Sequence, residues 1–174
     1  MSGYKKNRGF DFTKIKLILT DIDGVWTDGG VYYTEEGMAM KCFNVKDGIG
    51  VDRLRDQGIE TGIITGDDSV ILQTRARKLG IDLVYTGIAE KTIVLDKICA
   101  LRGLSYENIA YIGDDVNDLG VMARAGFTAA PVDAVDDVIN AVDYVCSRRG
   151  GEGAFREFAD IIIKNRDKMP SLSA

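Results

Sequence analysis

The chain of 174 residues contains no histidine. That excludes a Ser-His-Asp or Cys-His nucleophilic site, and zinc held by histidines. Any chemistry must run on carboxylates, lysine, hydroxyls and hard metal ions. Cysteine is scarce too: Cys42, Cys99 and Cys146 are odd in number and have no CxxC spacing, so neither a disulfide framework nor a thiolate metal site is expected. Free thiols in a reducing cytoplasm are the expectation. No apolar run approaches the ~18–20 residues of a membrane span, so no membrane partner is expected. The basic start of the chain has no apolar stretch behind it, so no signal peptide is expected. Residues 1–12 read as a disordered leader and 166–174 as a mobile tail. A net charge of −5 leaves phosphate repulsion uncompensated, and nucleic acid is not an expected partner.

What is present suits one domain over residues 13–165. Short β-branched apolar runs predict strands at 15–20, 58–65, 83–85 and 109–112, with weaker ones at 127–130 and 144–146. Helical patterns fall between them, at 48–57, 69–79, 90–102, 117–125, 135–142 and 154–163. Strand and helix alternate, which predicts an α/β fold with a doubly wound, Rossmann-like parallel sheet. One segment breaks the alternation. Residues 31–44 read as a β-hairpin around Glu35-Glu36-Gly37, inserted after the first strand. A two-stranded hairpin is marginal alone, so packing against another subunit is expected. No insertion is long enough for a cap domain.

In such a sheet, sites form at the carboxyl ends of strands. Strand one ends in Asp21-Ile22-Asp23-Gly24-Val25-Trp26-Thr27-Asp28, strand two in Thr65-Gly66, and strand four in Gly113-Asp114-Asp115-Val116-Asn117-Asp118. Lys91 opens the helix after strand three. Carboxylates gathered there repel one another, and a divalent cation offsets this. Oxygen-only ligands favour magnesium.

This set of motifs resembles the four motifs of the haloacid dehalogenase superfamily of phosphatases, over residues 16–163. The early hairpin, the missing cap and Asn44-Val45-Lys46-Asp47-Gly48 resemble the capless, tetrameric sugar-acid phosphatases of that superfamily. The resemblance implies Asp21 as nucleophile and Asp23 as acid/base. It implies Mg2+ held by Asp21, the carbonyl of Asp23 and Asp114, with Asp115 orienting a metal-bound water. Thr65 and Lys91 would bind the phosphoryl oxygens. It also implies a homotetramer formed through the hairpin.

For the substrate, Asn44, Lys46, Asp47, Gly48, Gly66, Asp67, Arg75, Lys78 and Glu152 are candidates. Octulosonate 8-phosphate phosphatases of this type usually carry a basic residue where this chain has Asp67, and Lys or Arg where it has Glu152. Asp67 is expected to pair with Lys78 and aim Arg75 at a substrate carboxylate. The resemblance therefore favours a 2-keto-3-deoxy-nonulosonate 9-phosphate as substrate. The alternative is 3-deoxy-manno-octulosonate 8-phosphate. Two rivals remain. A phospho-accepting receiver domain is disfavoured because Leu83-Val84-Tyr85 is followed by Thr86-Gly87 with no acceptor Asp. A non-catalytic oligomerisation module related to sialic-acid-activating enzymes is disfavoured by the intact motifs.

Overall fold

The computed structural model describes residues 2–4 and 9–167. Strands β1 (Gly3–Tyr4), β2 (Leu17–Thr20), β3 (Tyr32–Thr34) and β4 (Gly37–Met40) precede helix α1 (Val45–Asp56). Then come β5 (Glu60–Ile64), α2 (Val70–Lys78), β6 (Leu83–Tyr85), α3 (Lys91–Arg102), β7 (Ile109–Ile112) and α4 (Leu119–Met122). The chain ends with β8 (Phe127–Ala130), α5 (Asp136–Ala141), β9 (Tyr144–Val145) and α6 (Ala154–Arg166). Seven strands form one sheet in the order β1-β9-β8-β7-β2-β5-β6. Every pairing in it is parallel except β1 with β9.

β2 lies inside the sheet between β7 and β5, and its four residues are buried on both faces. Period-two alternation splits them between two cores. Ile18 joins Val51 and Leu54 of α1, Leu72 and Ala76 of α2, and Phe155 and Phe158 of α6. Leu17 and Leu19 join Val94, Leu95 and Ile98 of α3, Val121 of α4 and Val138 of α5. The doubly wound sheet is as expected, and there is no cap domain among the described residues.

Three local expectations change. Gly3–Tyr4 is an edge strand, paired through Tyr4 with Tyr144, so this part of the leader is ordered. The Tyr4 ring meets Tyr144 at 5.1 Å, and Phe10 and Phe12 pack on Phe127. Residues 9–12 are ordered as well, Asp11 capping a 3-10 turn that starts at the buried Phe12; residues 1, 5–8 and 168–174, the other part of the expected leader and most of the expected tail, lie outside the described residues. Helix α1 starts three residues early because Asn44 caps it, its side chain accepting from the Lys46 N–H. The helix expected over 117–125 is instead a 3-10 turn, Val116–Asp118, followed by the single turn of α4.

The hairpin forms its own two-stranded sheet, β3 with β4. Tyr32, Tyr33 and Met40 are exposed on it.

Candidate active site

β2, β5 and β7 end side by side, and their following loops hold the carboxylates. Lys91, the first residue of α3, is 1% exposed. Its ammonium lies 3.0 Å from Asp21 and 2.7 Å from Asp118. Asp118 is fully buried, and Tyr111 donates to it at 2.6 Å. The other Asp118 oxygen accepts the backbone N–H groups of Asp114 and Asp115. A Cβ at Gly113 would collide with that carboxylate, so glycine is required there. A Cβ at Gly24 (φ +78°) would likewise collide with the Asp114 carboxylate.

Oxygens of Asp21, Asp114 and Asp118 come within 4.8 Å of one another. Asp21 Oδ1 is buried and has no hydrogen-bond partner among the described residues, an expensive state for a carboxylate oxygen. A divalent cation among hard oxygen donors answers both observations. Asp118 serves as a brace rather than a ligand, because its two oxygens already accept from Lys91, Tyr111 and two backbone N–H groups. That leaves Asp21 and Asp114 as the side chains free to hold the ion. Asp115 is exposed, and one of its carboxylate oxygens accepts the Val116 N–H at 2.6 Å, as an N-cap.

Burial first, then repulsion from Asp118, pushes the Asp21 carboxyl up to about 6. Burial and repulsion from Asp21, Asp118 and Asp115 push Asp114 up to about 8. Both start from 3.8 unfolded, so the stability associated with them is full in acid and is lost as pH climbs toward about 8. The metal-stripped protein is therefore expected to lose thermal stability steadily between about pH 5 and pH 8. Asp114→Asn removes one of the repelling charges and should flatten that decline. Relief of roughly 1–2 kcal/mol would raise Tm by about 2–8 °C at the alkaline end. Thermal melts across this range check it, and a wild-type Tm that does not fall would contradict the electrostatic reading.

Asp23, two residues beyond Asp21, is half-exposed, and Lys41 donates to both its oxygens at 2.7 and 2.6 Å. The Thr27 hydroxyl donates to it at 3.2 Å. Lys41 also reaches Asp67 at 2.8 Å. Burial alone would lower the Lys41 ammonium, but hydrogen bonds to Asp23 and Asp67 hold it above its ordinary range. The Asp67–Lys78 pair is not formed. Asp67 binds Lys41 and Ser69, while Lys78 is exposed on α2.

Thr65 is buried at the end of β5, its hydroxyl oxygen accepting the Asp67 N–H, and Gly66 is exposed beside it. Arg75 donates to the Asn44 carbonyl and lies over the Phe43 ring. Asn44 also donates to the Gly151 carbonyl. Asp47 is fully buried, accepts the Arg156 N–H, and is pushed by burial up to about 6. Gly48 lies under Leu79 and Arg75, where a Cβ would be 2.9 Å from Leu79. The loop at Gly150-Gly151 presses on the backbone of Gly24, Thr27 and Asp28, so it borders the nucleophile loop. Glu152 and Lys46 are exposed and line one groove with Arg148 and Arg156.

The family model for haloacid dehalogenase-like hydrolases matches residues 45–126. A 3-deoxy-D-manno-octulosonate 8-phosphate phosphatase, KdsC, of Haemophilus influenzae is 44% identical over 88% of this chain and 86% of its own. The chain belongs to the haloacid dehalogenase-like hydrolases. Within that family it is similar in structure to KdsC-type phosphatases. The cobalt-bound deoxy-D-mannose-octulosonate 8-phosphate phosphatase of Haemophilus influenzae superposes with a TM-score of 0.87 at 42% identity, over 91% of this chain and 92% of that one. The 3-deoxy-D-manno-octulosonate 8-phosphate phosphatase of Moraxella catarrhalis, solved with magnesium, phosphate and KDO, gives 0.87 at 35% identity, over 90% of each chain. These relatives of the haloacid dehalogenase-like hydrolase act by name on an eight-carbon sugar acid. They favour the octulosonate alternative over the nonulosonate reading drawn from Asp67 and Glu152.

Two site residues were missed by sequence reasoning. Asp118 stood in the fourth motif, and its place three residues into a capping turn was a usable signal. Lys41 gave none, since its partners lie 18 and 26 residues away.

Proposed function

We propose that this chain is a Mg2+-dependent phosphatase that hydrolyses 3-deoxy-D-manno-octulosonate 8-phosphate through a phosphorylated Asp21. The observation that carries the chemistry is the buried Lys91 ammonium between Asp21 and Asp118, with the second carboxylate of Asp23 two residues on. The substrate follows the named activity of the similar proteins. Asp67 no longer argues against it, because its charge is matched inside the protein by Lys41.

Asp21 attacks phosphorus, and the bond from phosphorus to the sugar oxygen breaks. An alkoxide is a poor leaving group, so Asp23 gives that oxygen a proton as it departs. Water then attacks the phosphorus of the acyl phosphate and passes its proton to Asp23. Phosphate leaves, and Asp21 is restored. Lys91 has three N–H groups, and two face Asp21 and Asp118 among the described residues. In this reading the third, with the Thr65 hydroxyl, donates to the phosphoryl oxygens, where fixed donors stabilise the transition state most. Asp21, Asp114 and the Asp23 carbonyl would hold Mg2+, which neutralises charge on the phosphoryl group.

Arg75 and Lys46 remain candidates for the sugar carboxylate. The exposed Tyr32, Tyr33 and Met40 support a homotetramer assembled through the hairpin. Three free cysteines fit a cytoplasmic enzyme, and no helix among the described residues is long and apolar enough to cross a membrane.

Phosphate release from octulosonate 8-phosphate, deaminated nonulosonate 9-phosphate and N-acetylneuraminate 9-phosphate tests the assignment. The eight-carbon ester is expected to lead in kcat/KM by about tenfold or more. Equal or better turnover of a nine-carbon ester would return the assignment to the nonulosonates.

A further inference from the structure

Lys41 sits where the hairpin rejoins the domain, one residue past β4. Its side chain is 1% exposed, and its ammonium contacts only carboxylate oxygens among the described residues: both of Asp23 and one of Asp67. An ammonium has three donors, so these contacts occupy all of them. Lys41 is therefore poorly placed to bind substrate itself. Asp67 is fixed in turn, accepting from the Ser69 N–H at 2.9 Å and the Ser69 hydroxyl at 2.7 Å. That ties the ammonium to the loop between β5 and α2. On the other side, Asp23 has one further side-chain partner among the described residues, Thr27, at 3.2 Å. A half-exposed carboxylate on a loop has rotamer freedom, and proton delivery to a departing oxygen tolerates little of it.

We propose that Lys41 is a positioning residue for the acid/base Asp23, clamping its carboxylate at the angle from which it protonates the leaving group. This rests on the reading of Asp23 given above. Three segments distant in sequence meet at one ammonium: the loop after β2, the residue that follows the hairpin's return strand, and the loop after β5. The hairpin thus helps set the geometry of the acid.

The test uses phosphate esters without the sugar, so that sugar recognition drops out. Across alkyl, phenyl and nitrophenyl phosphates, kcat/KM reports the step in which the leaving group departs. Wild type should depend weakly on leaving-group pKa, because Asp23 protonates the poor leaving groups. Asp23→Asn should steepen that dependence, losing about 10²-fold or more on alkyl esters and little on the nitrophenyl ester. Lys41→Met should steepen it in the same sense, by about tenfold or more between the two ends of the series. Retained nitrophenyl turnover shows that the Lys41→Met site is folded. Should this variant not fold, Lys41→Gln and Asp67→Asn are read in the same series, the latter with a smaller steepening. If Asp23→Asn steepens the series while the folded Lys41 variants lose equally on all esters, or lose nothing, the positioning role is overturned and the function stands. If Asp23→Asn leaves the slope unchanged, both readings fall.

Discussion

Asp21→Asn should abolish phosphate release, lowering kcat by about 10⁴-fold or more, as removal of a covalent nucleophile does elsewhere. An amide oxygen is a far weaker nucleophile than a carboxylate. The structure makes the substitution clean. Asn has nearly the same shape, and among the described residues Asp21 pairs with Lys91, which keeps Asp118. Fold should therefore survive. In the metal-stripped protein the change also removes a buried charge that burial and Asp118 already push up to about 6. Tm at neutral pH should hold or rise. Activity assays and melts on the same preparation separate the two effects. Measurable turnover in the folded variant would contradict a nucleophile at position 21.

Lys91→Met should damage stability as well as catalysis. Lys91 is the counter-charge of a buried cluster, and its ammonium is held above its ordinary range by Asp21 and Asp118 despite burial. A raised lysine contributes stability that is full below its unfolded value of 10.5 and is lost only above the folded one, so the contribution is present throughout the neutral range. Methionine fills the volume but leaves Asp21 and Asp118 facing each other uncompensated. Breaking one partner from a buried pair typically costs about 3–5 kcal/mol, which for a chain of this size is about 6–20 °C in Tm. The loss should shrink in acid, as Asp21 takes up a proton. A Tm within a degree or two of wild type at neutral pH would show that the ammonium is not the cluster's main support.

The sheet was legible because its central strands are short, β-branched and apolar on both faces, as residues 17–20 and 109–112 show. That Asp21, Thr65 and Asp114 would follow neighbouring strand ends was legible because the loops after such strands gather on one edge of the sheet. What stayed hidden depends on contacts between distant segments. Gly3–Tyr4 is too short to show a period, and it becomes a strand only because β9 offers an edge. Lys41 lies within the segment that reads as a hairpin, and only folding brings Asp23 and Asp67 to it. The same contact explains why Asp67 does not reach Lys78. A nearer cation, already buried, satisfies it first. Asp115 and Asp118 both read as acids in one motif, and only backbone direction shows that one caps a turn outward while the other points in.

The covalent intermediate tests the central claim most directly. Enzyme turning over 3-deoxy-D-manno-octulosonate 8-phosphate is quenched and treated with borohydride, which reduces an acyl phosphate to the alcohol, and the peptides are sequenced by mass spectrometry. Homoserine in place of aspartate at position 21, dependent on substrate and on Mg2+, is the result this account predicts. Modification at another carboxylate, or none at position 21 during active turnover, would contradict it.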